Sequence, residues 1–216
     1  MTVCLGILCE QGSKAVVAAD RMVTGGDVEF EQDVIKIEPC AHSCVVLSAG
    51  SALRQVDLIG GARAKVGQQR EPSVADVVEA LKERFVETRR QRAEDRYLKP
   101  LGMTLGEFIA HQGRLPEPQV LRLTRNIEME ELDLELIIGG VDSTGGHLYY
   151  LRDPGIADCY DAIGFCAIGS GERHAELAFI RSGTPPRSRC NRLCSWPTRR
   201  NGTLSSRQES GRGSPT

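Results

Sequence analysis

TVCLGILCEQGSKAVVAAD, residues Thr2–Asp20, decides the fold. Two short apolar runs, Thr2–Cys9 and Ala15–Ala19, flank Glu10-Gln11-Gly12-Ser13. Glycine supplies the backbone freedom that a tight turn needs, so the stretch predicts a β-hairpin. The second run ends in Ala18-Ala19-Asp20. Further on, Val34–Ile37 and Ser43–Ser48 read as strands. Ser51 then caps an amphipathic segment running to about Val66. Ser73 with Asp76 is a capping-box start for a second helix, Ser73–Gln91, with Val77, Val78, Leu81 and Phe85 on one face. The charged run Glu87–Arg92 at its end reads as a solvated helix face.

The second half repeats the grouping. Residues 96–131 carry helical signal, with a second capping box at Thr104 and Glu107 and breaks at Pro116 and Pro118. Strands return at Leu134–Val141 and His147–Leu151, joined through Asp142-Ser143-Thr144-Gly145-Gly146, and again at Ala157–Tyr160 and Ala162–Ile168. A last helix begins after Gly169-Ser170-Gly171. Strands, helices, strands and a helix in that order predict an α+β fold with antiparallel sheets, not a regular βαβ alternation.

Composition bounds the function classes. A chain of 216 residues with 40% hydrophobic and 26% charged residues fits one globular domain. It has no apolar run of about 18 residues, so no membrane span or membrane partner is expected. No basic leader precedes the first apolar run, which predicts a cytoplasmic protein. The eight cysteines then read as buried thiols in a reducing compartment. The pairs Cys40/Cys44 and Cys190/Cys194 lack the flanking ligands of a zinc site, so no metal is expected. Residues 182–216 hold seven Arg and one acid, a net of +6, which leaves −8 for residues 1–181. That Arg-, Ser- and Pro-rich segment predicts disorder over 184–216. With Trp196 its only aromatic, it makes a poor nucleic-acid arm, and no nucleic acid is expected. Gly169-Ser170-Gly171 could also open a nucleotide-binding turn, but His174 stands where a third glycine belongs.

The spacing of four motifs carries a resemblance. Lys36 lies sixteen residues after Asp20, Gly50 of Ser48-Ala49-Gly50 lies fourteen after Lys36, and Gly169-Ser170-Gly171 follows a strand and precedes a helix. With Thr2 opening the first strand, the chain resembles the proteasome β-subunit group of N-terminal-nucleophile (Ntn) hydrolases, of bacterial and archaeal type, over about residues 2–95 and 132–182. The resemblance implies a four-layer αββα sandwich over 1–183, with 96–131 a helical insertion and the C-terminal part of the sandwich incomplete. It implies a threonine peptidase or amidohydrolase, exposed by loss of Met1, working on a peptide or protein substrate without a cofactor, and self-association into a homo-oligomer. Carried over residue by residue, Thr2 is the nucleophile, Asp20 orients Lys36, Lys36 tunes charge, Ser170 orders the amine, and Gly50 gives the oxyanion hole. Thr24 and Ser48-Ala49 would hold substrate backbone, and Val23, Val34, Ser48 and Ala52 would line the first side-chain pocket.

The chemistry stands without the family. A Thr hydroxyl needs a base, and a free α-amine titrating near pH ~8 can be one. A Lys ammonium favours both the alkoxide and the neutral amine. Three departures separate the chain from the pattern: Arg21-Met22 replaces Ser-Arg, Glu172 replaces a second Ser, and residues 182–216 offer no Asp. They imply low activity, and a non-catalytic structural subunit or a truncated inactive product is the alternative reading.

Overall fold

The computed structural model describes residues 2–25, 28–31 and 36–182; Met1, Val34 and the 184–216 segment lie outside them. The strands are β1 (Cys4–Cys9), β2 (Lys14–Ala19), β3 (Met22–Gly25), β4 (Val28–Glu31), β5 (Ile37–Ala41), β6 (Cys44–Gly50), β7 (Leu134–Asp142), β8 (Gly145–Arg152), β9 (Ile156–Cys159) and β10 (Phe165–Ile168). The helices are α1 (Ala52–Val66), α2 (Val74–Ala93), α3 (Leu105–His111), α4 (Glu117–Glu128) and α5 (Glu172–Ser182). One antiparallel sheet has the order β10-β1-β2 and a second the order β5-β6-β7-β8-β9, while β3 and β4 form a two-stranded ribbon. The fold is therefore α+β with antiparallel sheets, as the grouped elements predict.

Strand alternation sorts the core into layers. On β6 and β7, Val46, Leu136 and Ile138 pack on Leu58, Leu81 and Phe85 of α1 and α2. Their neighbours Leu47 and Ile137 face the other way, onto Cys4, Leu8, Cys166 and Ile168 of the smaller sheet. Period-two side-chain direction gives one strand two buried faces, which is why Leu134–Val141 reads as an apolar run broken only by Glu135. Beyond the smaller sheet, Phe179 of α5 packs on Ile7 and Cys9. The sheets approach closely: a Cβ on Gly6 would lie 2.4 Å from a Leu148 methyl.

Both capping boxes form, at Ser73/Asp76 and Thr104/Glu107. Ser51 is the N-cap of α1, but its side chain makes no cap hydrogen bond. The 96–131 region is helical and builds a satellite core from Leu98, Phe108 and Leu123. Its tie to α2 is polar. Glu130, 2% exposed in its side chain, takes ion pairs from Arg92 and Arg96 and a 2.8 Å hydrogen bond from the Tyr97 hydroxyl. Arg89 donates to the carbonyls of Ile127, Glu128 and Glu130. Hydrogen bonds to both oxygens of that carboxylate offset its desolvation.

Two expectations are corrected. The strand expected over Ala162–Ile168 begins only at Phe165, because Asp161–Gly164 turns instead: Asp161 accepts from Leu148 N–H at 2.7 Å and Gly164 has φ 80°. Cys159 is exposed, whereas Cys4, Cys9, Cys40, Cys44 and Cys166 are buried. Cys190 and Cys194 lie outside the described residues.

The same turn completes a polar cluster at the far end of the large sheet. His147 on β8 contacts Asp161 through Nδ1 at 2.7 Å, and through Nε2 it meets Thr144 at 2.7 Å and Asp142 at 3.3 Å. Asp142 also accepts from Val74 N–H at 3.1 Å, joining the β7–β8 turn to the start of α2. Burial disfavours the imidazolium, but the bond to Asp161 and the charges of Asp161 and Asp142 outweigh it, so the His147 pKa is raised. A raised folded-state pKa stabilises the fold fully below the ordinary imidazole value of about 6.5, and that stability is lost as pH rises through the raised value. Wild-type stability should therefore fall relative to His147→Gln as pH increases above about 6.5. Urea unfolding across that range is the check, and a stability gap that stays constant with pH contradicts the charged cluster.

Candidate functional site

The β1–β2 hairpin brings its two ends together. Asp20 N–H donates to the Val3 carbonyl at 3.1 Å, and Val3 N–H donates to Asp20 Oδ1 at 3.3 Å. Asp20 is thereby held beside Thr2, two residues before β1. Lys36 arrives from the segment preceding β5. Its ammonium lies 2.5 Å from Asp20 Oδ1 and 3.4 Å from Thr2 Oγ1. Only 8% of the Lys36 side chain is exposed, and that of Asp20 is 28% exposed, so the pair is sheltered from water. Sheltering keeps the Coulomb interaction stronger than at a surface.

The loop between β10 and α5 closes the other side. Ser170 Oγ accepts a hydrogen bond from Thr2 N at 2.9 Å, and Gly171 N–H donates to the Thr2 carbonyl at 3.0 Å. Gly169 has φ 90°, and a Cβ there would lie 2.7 Å from the Thr2 carbonyl oxygen. Only glycine fits that conformation and that approach. Thr2, Asp20, Lys36 and Ser170, read from the sequence as the catalytic set, thus converge from four separate segments.

Gly50 is exposed at the end of β6 and lines the same cleft as Thr2 and Lys36. Ser48 N–H donates to the Lys36 carbonyl at 3.1 Å. Backbone direction alternates along a strand, so Gly50 N–H, two residues on, lies on the same edge, toward Lys36. Ser48 and Ala49 also line the cleft. Their side chains are otherwise engaged: the Ser48 hydroxyl is buried against Gln55 Oε1, and Ala49 packs into the core between the sheets. Val23 and Thr24 lie on β3, and Ala52 opens α1, but their side chains are outside the described residues, as is Val34.

The cleft has a volume of about 730 Å³. Two of its groups, Glu135 and Tyr150, escape a sequence reading. Glu135 on β7 accepts from the Tyr150 hydroxyl at 2.6 Å and from Gly169 N–H at 3.0 Å. Burial and that bond to Glu135 push the Tyr150 pKa up. Glu172, at the start of α5, is also raised, by burial and then by Glu135 and Glu176. The one signal for Glu135 is a lone acid inside the apolar run Leu134–Val141. Cys4 adjoins the site, its Sγ 3.4 Å from the Ser48 carbonyl, but burial pushes its pKa up to about 12 despite Lys36. It is a thiol at neutral pH and a poor nucleophile.

Among the described residues no His, Cys, Asp and Glu group is placed to hold a metal ion, and no helix is long and apolar enough to cross a membrane. No family model matches the chain, and no curated protein is significantly similar to it.

Proposed function

We propose that this chain is a threonine-type Ntn hydrolase of the proteasome β-subunit kind, cleaving peptide bonds through an acyl-enzyme on Thr2. The observation that carries the reading is the contact of the Lys36 ammonium with both Asp20 and the Thr2 hydroxyl, beside a Thr2 nitrogen already bonded to Ser170. The alternation of buried faces across two sheets and two helical layers supports the αββα sandwich that goes with it.

Removal of Met1 turns the Thr2 nitrogen into an α-amine. Its neutral form accepts the hydroxyl proton, and Thr2 Oγ1 attacks the substrate carbonyl. Lys36 stabilises the negative charge on Oγ1 as the proton leaves. Gly50 N–H donates to the carbonyl oxygen as it becomes an oxyanion. The protonated amine then returns its proton to the leaving nitrogen, the C–N bond breaks, and an ester remains on Thr2. Water, deprotonated by the same amine, cleaves the ester and releases the acid. Substrate lies extended along the Ser48–Gly50 edge, read mainly through its main chain.

Intact-mass spectrometry with a β-lactone tests this directly. The expected result is a chain lacking Met1 that gains the whole mass of the lactone, because ring opening loses no atoms. Thr2→Ala should gain nothing, and Thr2→Ser should still be labelled. A processed wild-type chain that never gains the mass, or a mass gained equally by Thr2→Ala, excludes Thr2 as the nucleophile. The first of these outcomes favours a non-catalytic subunit.

A further inference from the structure

We propose that Glu135 is a positioning residue for Thr2, acting through the Gly169–Gly171 loop and through its own negative charge in the cleft. The inference rests on the reading of Thr2 as nucleophile. Three successive loop residues divide the work. Ser170 and Gly171 hold Thr2, by Thr2 N to Ser170 Oγ at 2.9 Å and Gly171 N to the Thr2 carbonyl at 3.0 Å. Gly169 is held by Glu135, through its N–H to Oε2 at 3.0 Å.

Glu135 is itself anchored. It stands on β7, paired with Ala49 of β6, within the five-stranded sheet. Its other oxygen accepts from the Tyr150 hydroxyl at 2.6 Å, and Tyr150 is 6% exposed on the adjoining strand β8. Since Tyr150 titrates well above its ordinary range, it stays a donor through neutral pH. A rigid strand therefore sets the loop, and the loop sets the nucleophile's backbone. A strand-borne support is more exact than a loop supporting itself.

The charge adds a second consequence. Glu135 shares the cleft with Thr2 and Lys36; the other charged groups lining it are Glu131, Asp133, Arg152, Asp153 and Glu172, and Asp20 lies against Lys36. Lys36 favours a neutral α-amine, whereas a carboxylate favours the protonated form. Glu135 thus opposes Lys36 at the Thr2 nitrogen and raises the pH at which the amine becomes a base. A neutral acceptor in the same place would satisfy Gly169 and Tyr150 without that effect.

The test uses the processed full chain and β-lactone labelling at Thr2, with inactivation rate and probe affinity measured separately across pH. Glu135→Ala should lower the inactivation rate by about 10–100-fold with affinity changed less than about twofold, because small misplacements of reacting groups act on rate. Glu135→Gln keeps the shape and an acceptor oxygen but not the charge. It should recover most of the rate and move the acid limb of the profile down by roughly 0.5 pH unit. If Glu135→Ala fails to fold, Glu135→Gln decides alone. An acid limb unmoved in Glu135→Gln, or a wild-type rate in Glu135→Ala, overturns the proposal while a labelled wild type leaves the nucleophile standing. A processed wild type that is never labelled removes both.

Discussion

Lys36→Ala is expected to slow β-lactone labelling of Thr2 by about 10²–10³-fold, the range found when a preorganised charge-stabilising donor is removed. Lys36 meets the Thr2 hydroxyl at 3.4 Å and is sheltered, and a water in its place would carry no positive charge to the alkoxide. Its removal acts twice, on the alkoxide and on the neutrality of the amine. Asp20→Asn should cost less, about tenfold, because Asp20 acts on Thr2 through Lys36 and through the Val3 amide. Stability separates the chemical effect from unfolding. Asp20 in Lys36→Ala still accepts from Val3 and is 28% exposed, so its charge can be hydrated. Folding should survive, and circular dichroism with urea unfolding shows whether it does. Labelling of folded Lys36→Ala at the wild-type rate would remove Lys36 from the mechanism.

The parts of this site that the sequence shows are those fixed by short-range geometry. Asp20 closes a hairpin whose turn is only Glu10–Ser13, so its return to Thr2 follows from register: Cys4 faces Ala19 in the β1–β2 pair. Gly50 is one residue before the cap of α1, a boundary marked by the change of periodicity. The two capping boxes declare themselves because both partners lie within one helical turn. Lys36 is different. Its approach to Thr2 depends on β6 lying at the sheet interface, with Leu47 and Ala49 turned toward β1 and β10. No local rule gives that, and only the resemblance in spacing suggests it.

Glu135 marks the limit more sharply. An acid between Leu134 and Leu136 on a strand buried on both faces looks like an error of patterning. Its partners, Tyr150 and Gly169, are 15 and 34 residues away. They meet it only because β7 lies between β6 and β8 and because β10 pairs with β1 rather than with the larger sheet. Likewise Gly164 alone does not say that the strand after it starts only at Phe165. The turn there is fixed by Asp161 bonding across to His147 and Leu148. Such long-range polar contacts carry no periodicity, so a reading by period passes over them.

Gly169→Ala is the substitution that ties backbone conformation to chemistry most tightly. At φ 90° an L side chain is strained, and the new Cβ would stand 2.7 Å from the Thr2 carbonyl oxygen and 3.0 Å from Thr2 Cγ2. Strain of this kind costs about 1–3 kcal/mol. The overlap cannot be relieved by a flexible side chain, because the nearest atom is backbone. Either Thr2 or the loop must move, and both the Thr2–Ser170 and Thr2–Gly171 bonds depend on their separation. Labelling at Thr2 should fall by about 10²-fold, the cost of a displacement near 1 Å. Gly12→Ala supplies the control. Gly12 sits in the β1–β2 turn at φ 87° with nothing within 4 Å of the built Cβ. It carries the same backbone strain without the overlap, so it should lose about 1–2 kcal/mol of stability and keep its labelling rate. Comparing the two by urea unfolding and by inactivation kinetics separates strain from displacement. Equal labelling of Gly169→Ala and Gly12→Ala would mean that the loop does not set the position of Thr2, and the support assigned to Glu135 would lose its purpose.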